Sequence, residues 1–146
     1  MPKLKAVLAC EKVIFDQDGP ASVISIFQKM NIQLTGVQLP DNAVSPTMWT
    51  IFALWESEEG EVGQTFTQVL KVTAPDGSVF MEHEGNFVNN STEDSQIKIK
   101  TQIPGLPIWK EGWVTVSAWL KGDDSPLGDF KFEIKYLPPP IPAPAS

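Results

Sequence analysis

Phe130-Lys131-Phe132-Glu133-Ile134-Lys135-Tyr136 decides the fold class. Every second residue is large and apolar, and every residue between is charged. That is the period of a β-strand with one face buried and the other in water. Gly112-Trp113-Val114-Thr115-Val116-Ser117-Ala118-Trp119-Leu120 alternates as strictly, with Val114, Val116, Ala118 and Leu120 on one face. Working outward, the same period predicts strands over 4–15, 22–34, 48–57, 65–73, 78–88, 96–103, 112–121 and 129–137. Gly and Pro mark the joins at Asp18-Gly19-Pro20, Leu39-Pro40-Asp41-Asn42, Pro75-Asp76-Gly77 and Ile103-Pro104-Gly105. Val, Ile and Phe crowd Val23–Met30 and disfavour a helix there. About eight strands at this spacing predict an all-β protein, an antiparallel β-sandwich.

The 146 residues suffice for one domain with its own core. We assign that domain to residues 1–137 and a separate tail to 138–146. The tail holds five Pro in nine residues and no charge, a composition that favours polyproline II and cannot enter a sheet interior. Its first residues, Pro138, Pro139, Pro140 and Ile141, are the part expected to touch a neighbouring copy or a partner if the tail is held.

Composition removes several functions. One Cys rules out an internal disulfide, and one Cys with one His rules out the usual zinc sites, so no metal and no cofactor are expected. The formal charge of −7 and the lack of any Arg argue against nucleic acid. No apolar run reaches the length that crosses a membrane, and the Ala6–Cys10 run is too short for a signal segment. A reduced cytoplasmic setting therefore suits the lone Cys10. Two overlapping sequons in Asn89-Asn90-Ser91-Thr92 read as a turn.

Two hairpins can be set in register from the alternation. A loop at Ala74–Gly77 is expected to place Val72 opposite Val79 and Leu70 opposite Met81. A loop centred on Ser91 is expected to set Glu84 beside Lys98 and Glu82 beside Lys100. Trp49, Ile51, Ala53 and Trp55 share one face while Phe52 and Leu54 fill the reverse, so that strand is expected to be covered on both sides.

Few residues carry chemistry. Cys10 lies between apolar neighbours with no base adjoining, which reads as a packed thiol. His83 sits between Glu82 and Glu84, but those acids point to the opposite face, so no acid–base pair forms. Asp16-Gln17-Asp18-Gly19 opens like a calcium loop and lacks the later ligands. Glu56, Glu58, Glu59 and Glu61 crowd one acidic loop, which reads as a solvated tip, or else as a patch for a divalent cation or a basic partner, though it lacks the interleaved Asn, Asp and Gly of a calcium loop. Trp113 and Trp119 share the polar face of their strand with Thr115 and Ser117, and Trp109 precedes them. These three indoles are the candidate binding residues.

Ala9-Cys10-Glu11, Ile24-Ser25-Ile26-Phe27 and Gly112-Trp113-Val114-Thr115-Val116 resemble a family of small bacterial and phage β-sandwich proteins of unknown function. The resemblance spans most of residues 4–137 and implies the fold. It brings no catalytic residues. The expected function is a non-catalytic interaction or assembly module with a protein partner, itself or another, and hence a homo-oligomer in the simplest case. The alternative is a carbohydrate-binding β-sandwich that uses the indole face. A hydrolase built on two carboxylates is disfavoured, because no pair stands out among the 18 acids.

Overall fold

In the computed structural model, residues 1–15, 20–33, 39–40, 42–91, 95–123 and 128–137 are described. They form β1 (Lys3–Phe15), β2 (Ala21–Ile26), β3 (Lys29–Gln33), β4 (Val44–Glu56), β5 (Thr65–Thr73), β6 (Val79–Val88), β7 (Gln96–Pro107), β8 (Gly112–Leu120) and β9 (Gly128–Leu137). A short 3-10 turn occupies Glu59–Glu61. One sheet has the order β2-β1-β4-β7 and the other β3-β9-β8-β5-β6. The protein is a β-sandwich. All pairings are antiparallel except β3 with β9, which is parallel.

The inward stripes close over one another as the alternation requires. Phe27, Trp49 and Phe132 form the centre, with ring centroids 5.3–5.9 Å apart and Phe132 edge-on to both neighbours. Two buried indoles find polar partners. Trp49 Nε1 donates to the Gly105 carbonyl at 2.6 Å, and Trp55 Nε1 donates to Gln68 Oε1 at 2.6 Å. Gln68 is fully buried, so this bond removes much of the cost of sinking an amide into the core. Pro104 and Pro107 lie in β7, which fits an edge strand whose outer N–H groups face no partner.

Three sequence expectations need correction. The single strand expected over 22–34 is two strands in different sheets. The chain crosses the sandwich at Phe27-Gln28, where Phe27 N donates to the Ala9 carbonyl and Glu133 N donates to the Gln28 carbonyl, both at 2.9 Å. One backbone bond thus ties the crossing to each sheet. Ser25, just before it, has φ 56°, a left-handed conformation that an L side chain adopts at a cost of about 1–2 kcal/mol.

The hairpin at Pro75 forms, but Val72 pairs with Met81 and Leu70 with His83, two residues from the expected register. Ala74 N donates to the Ser78 carbonyl, so only Pro75, Asp76 and Gly77 remain in the loop, and a bulge leaves Phe80 unpaired. The hairpin expected between Glu82/Glu84 and Lys98/Lys100 does not exist. β6 pairs only with β5 and β7 only with β4, in opposite sheets. Glu84 instead meets Lys121 at 3.1 Å.

The two-sided burial of β4 holds. On its reverse face Phe52 packs with Cys10 and Val13 in a second small core, flanked by Leu8 and Leu54. β1 leaves β4 after Cys10 and continues paired with β2 alone. Cys10 and Val13 are three residues apart yet share that cluster, so the ribbon must turn between them and fold over the sheet. Lys100 of β7 secures it, donating to the Val13 carbonyl at 3.4 Å with its ammonium 5.1 Å from the Phe15 ring centre.

Cys10 is sealed beneath that ribbon, its thiol donating to the Thr50 carbonyl at 3.6 Å. Burial raises its pKa above the ordinary 9.0. A raised folded value means that the stability it contributes is present below about pH 9 and is lost as pH climbs further. The native protein is expected to react with a thiol-specific disulfide reagent at least ten times more slowly than the urea-unfolded chain. Equal rates would place the thiol at the surface.

Candidate binding surface

The β8 alternation turns Val114, Val116, Ala118 and Leu120 into the core and Trp113, Thr115, Ser117 and Trp119 outward. β8 is the central strand of the five-stranded sheet, so this outer face is flanked on both sides. Lys131 and Asp129 of β9 stand opposite Thr115 and Ser117, and Thr73 and Lys71 of β5 stand on the other side. The two indoles are six residues apart, roughly 20 Å along the strand. They are therefore not one stacking platform but the two ends of a polar row.

The ends differ. Trp119 is half-buried and lies opposite Val69, a buried residue on this outer face. Trp113 is 56% exposed and lies opposite Glu133, which in turn meets Lys29 of β3 at 3.9 Å. Trp109 does not extend this row. Its Nε1 donates to Asp76 Oδ2 at 2.9 Å in the β5–β6 turn, and its ring packs 6.1 Å from Phe80.

Asp76 is the hub of that turn. It also accepts from Ser78 Oγ at 2.6 Å and from Ser78 N at 3.0 Å. The Ser78 hydroxyl and N–H, then the Trp109 indole, hold its carboxyl at about 2, below the ordinary 3.8. A depressed folded value means that the turn's stabilisation is present above pH 3.8 and is lost as pH falls through about 2. The Trp109 indole N–H resonance is expected to stay fixed from neutral pH to about 3 and to shift only below it. A midpoint near 4 would break the link between the two side chains.

The acidic loop is divided by the structure. Glu61 is buried in the 3-10 turn, where its carboxylate accepts from Glu58 N at 2.6 Å and meets the Met1 ammonium at 2.9 Å. Burial pushes this carboxyl up, but the Glu58 N–H and the ammonium outweigh it and hold it below the usual glutamate range. Glu56 is half-buried and pairs with Lys5 at 3.5 Å, which leaves Glu58 and Glu59 exposed. The loop is a capped turn more than an open acidic patch. Asn89 of the sequon pair is also buried, its amide donating to Ser57 Oγ at 2.8 Å and its oxygen accepting from Ser91 N at 3.0 Å.

His83 is exposed on the edge strand β6, at the far side of the sheet from β3. It is thus remote from the sealed Cys10 in the other sheet. Among the described residues no three His, Cys, Asp or Glu side chains gather into a metal site, and no helix is long and apolar enough to cross a membrane. The tail residues Pro138, Pro139, Pro140 and Ile141 and the Asp16–Gly19 loop lie outside the described residues.

Sequence reasoning missed a cavity among the described residues. It is a groove of about 590 Å³ at the β2–β3 crossing, lined by Glu11, Ile26, Phe27, Lys29, Met30 and Met48 among others. Ile26 is 52% exposed and Met48 54%. The groove depends on the chain leaving one sheet for the other, and a period-two pattern does not mark that step.

No family model matches this chain, and no curated protein matches it. Among solved structures it is similar to an immunoglobulin-like protein from Pseudomonas aeruginosa, at 11% identity over 92% of this chain and 97% of that one, with a TM-score of 0.40.

Proposed function

We propose that this chain is a non-catalytic interaction module whose contact surface is the Trp113 end of the outer face of the five-stranded sheet. One observation supports this above the others. A tryptophan 56% exposed stands on the central strand, with Glu133 opposite it on β9 and Thr115 next on its own face. A large indole held in water by its backbone is the residue type that most often anchors a protein interface. Its rim, Glu133 with Lys29, supplies the polar border that such anchors have. The partner is a protein, another copy or a different chain, met in a reduced cytoplasmic setting. In this reading the Pro-rich tail adds a second contact to another copy, and the chain's kin are the small bacterial and phage β-sandwich proteins.

Trp113→Ala changes a surface residue and is expected to leave thermal stability within about 0.5 kcal/mol. Side-by-side affinity purification from the native cell should recover a partner with the wild-type chain and lose it with the variant. Identical recoveries would place the interface elsewhere. The tail is tested by light scattering coupled to size exclusion. The full chain is expected to be an oligomer and a chain ending at Leu137 a monomer, whereas two monomers would remove the tail from assembly.

The outward row Trp113–Thr115–Ser117–Trp119 favours a second reading, an extended carbohydrate lying along β8 with an indole at each end. Quenching of indole fluorescence on titration with polysaccharides would support it, and unchanged fluorescence would dismiss it.

A further inference from the structure

We infer that the groove at the β2–β3 crossing docks an extended basic peptide segment from a partner, seated by one aliphatic side chain. Its size comes first. About 590 Å³ lies within the range of binding pockets. Its lining mixes apolar side chains with polar and charged ones, Glu11 and Lys29 among them. Phe27, itself part of the core, lies beneath, and Ile26, Met30 and Met48 form the walls. Ile26 and Met48 are half-exposed although large and apolar, the condition that a docking side chain would relieve. Two methionines make the walls adaptable, since an unbranched thioether can re-pack round differing side chains.

The backbone points to an extended occupant. The groove opens where β1 leaves β4: the ladder between them ends at Cys10 and Thr50, and Thr47 and Met48 just beyond it line the groove with Glu11 and Ile26. A strand added there, along β4 before Thr50, would meet main-chain groups that have no β1 partner, the usual mode of peptide capture at an open ladder. The left-handed Ser25 lines the groove beside Ile26.

The charge of the occupant follows from the rim. Lys29 already faces Glu133 at 3.9 Å, whereas Glu11 forms no ion pair among the described residues. The free charge at the groove is therefore a carboxylate, on a chain of net −7 that attracts cations from a distance. A Lys beside the seated aliphatic residue matches it; an acidic peptide does not. Trp113 does not line the groove, though Lys29 borders both surfaces, so the two readings are separated by variants at Trp113 and Met48.

The test uses the full chain labelled with carbon-13 at its methionine methyls. The probe is the peptide acetyl-Lys-Leu-Lys-Leu-Lys-amide, with acetyl-Glu-Leu-Glu-Leu-Glu-amide as its comparison. Saturable shifts are expected at Met30 and Met48 and not at Met81, with the acidic peptide at least tenfold weaker. Glu11→Lys should weaken the basic peptide at least fivefold, and Met48→Lys should abolish binding, with both variants folded by the dispersion of their spectra. Trp113→Ala should leave this affinity within twofold. No shift at millimolar peptide, equal shifts from both peptides, or shifts that follow protein concentration without peptide would each overturn the proposal. The last result would assign the groove to a second copy of this chain.

Discussion

Replacing Phe132 with alanine is expected to lower stability by about 3–5 kcal/mol, the range for emptying a buried aromatic site. Phe132 is fully buried and touches Trp49 and Phe27 edge-on, at 5.6 and 5.3 Å. Its neighbours cannot close the gap easily. Trp49 is pinned through its indole to the Gly105 carbonyl, and Phe27 is fixed by backbone bonds at the crossing. The cavity therefore stays open and its full cost is felt. Phe132→Leu keeps most of the volume and should cost about half as much. Urea denaturation of both variants reads the difference. A loss under about 1.5 kcal/mol for the alanine variant would mean that the sheets are not joined through this cluster.

Gly105→Ala is the second large effect, at about 2–4 kcal/mol in sum. Gly105 has φ 119°, where an L side chain is strained, and an added Cβ would lie 2.8 Å from Val44 Cγ1. A backbone shift that relieves the contact or the strained φ also moves the carbonyl that accepts the buried Trp49 indole. Gly122→Ala is the control. It has φ 102° but open space round the added carbon, so it should show only the conformational share, about 1–2 kcal/mol. If the two variants were equally destabilised, neither the contact with Val44 nor the indole bond would matter. Near-ultraviolet circular dichroism should also show a weakened tryptophan signal in Gly105→Ala alone.

Alternation made the fold class legible because each strand has one wet and one dry face over most of its length. The stripes Phe130–Tyr136 and Val114–Leu120 enter the core as their spacing demands. The same signal concealed the crossing. Ile24, Ile26, Met30 and Ile32 all fall on even positions, and the one lapse between them, Gln28 beside the odd-numbered Phe27, reads as a single irregularity in a long strand although it is where the chain changes sheets. Ser25 gives no warning, since serine is not a residue that marks a left-handed turn. The false hairpin arose from charge. Pairing Glu82 and Glu84 with Lys98 and Lys100 offers a few tenths of a kcal/mol each. Sending β7 to the other sheet instead lets Ile97 and Ile99 pack with Trp55 and Phe87, which is worth more.

Of the candidate site, the outward turn of Trp113 was readable from parity, and its difference from Trp119 was not. That difference comes from Val69, which lies opposite Trp119 across the ladder with β5, a pairing local spacing does not give. Trp109 was misplaced for a similar reason. Its anchor Asp76 is 33 residues away in sequence.

The central claim is that Trp113 meets a protein. The most direct measurement replaces Trp113 with the photo-reactive p-benzoylphenylalanine in the native cell, with the same group at the exposed Gln102 on β7 as comparison. After irradiation, a discrete cross-linked protein is predicted from position 113 and none from position 102. No cross-link from 113, or the same products from both positions, would contradict the account.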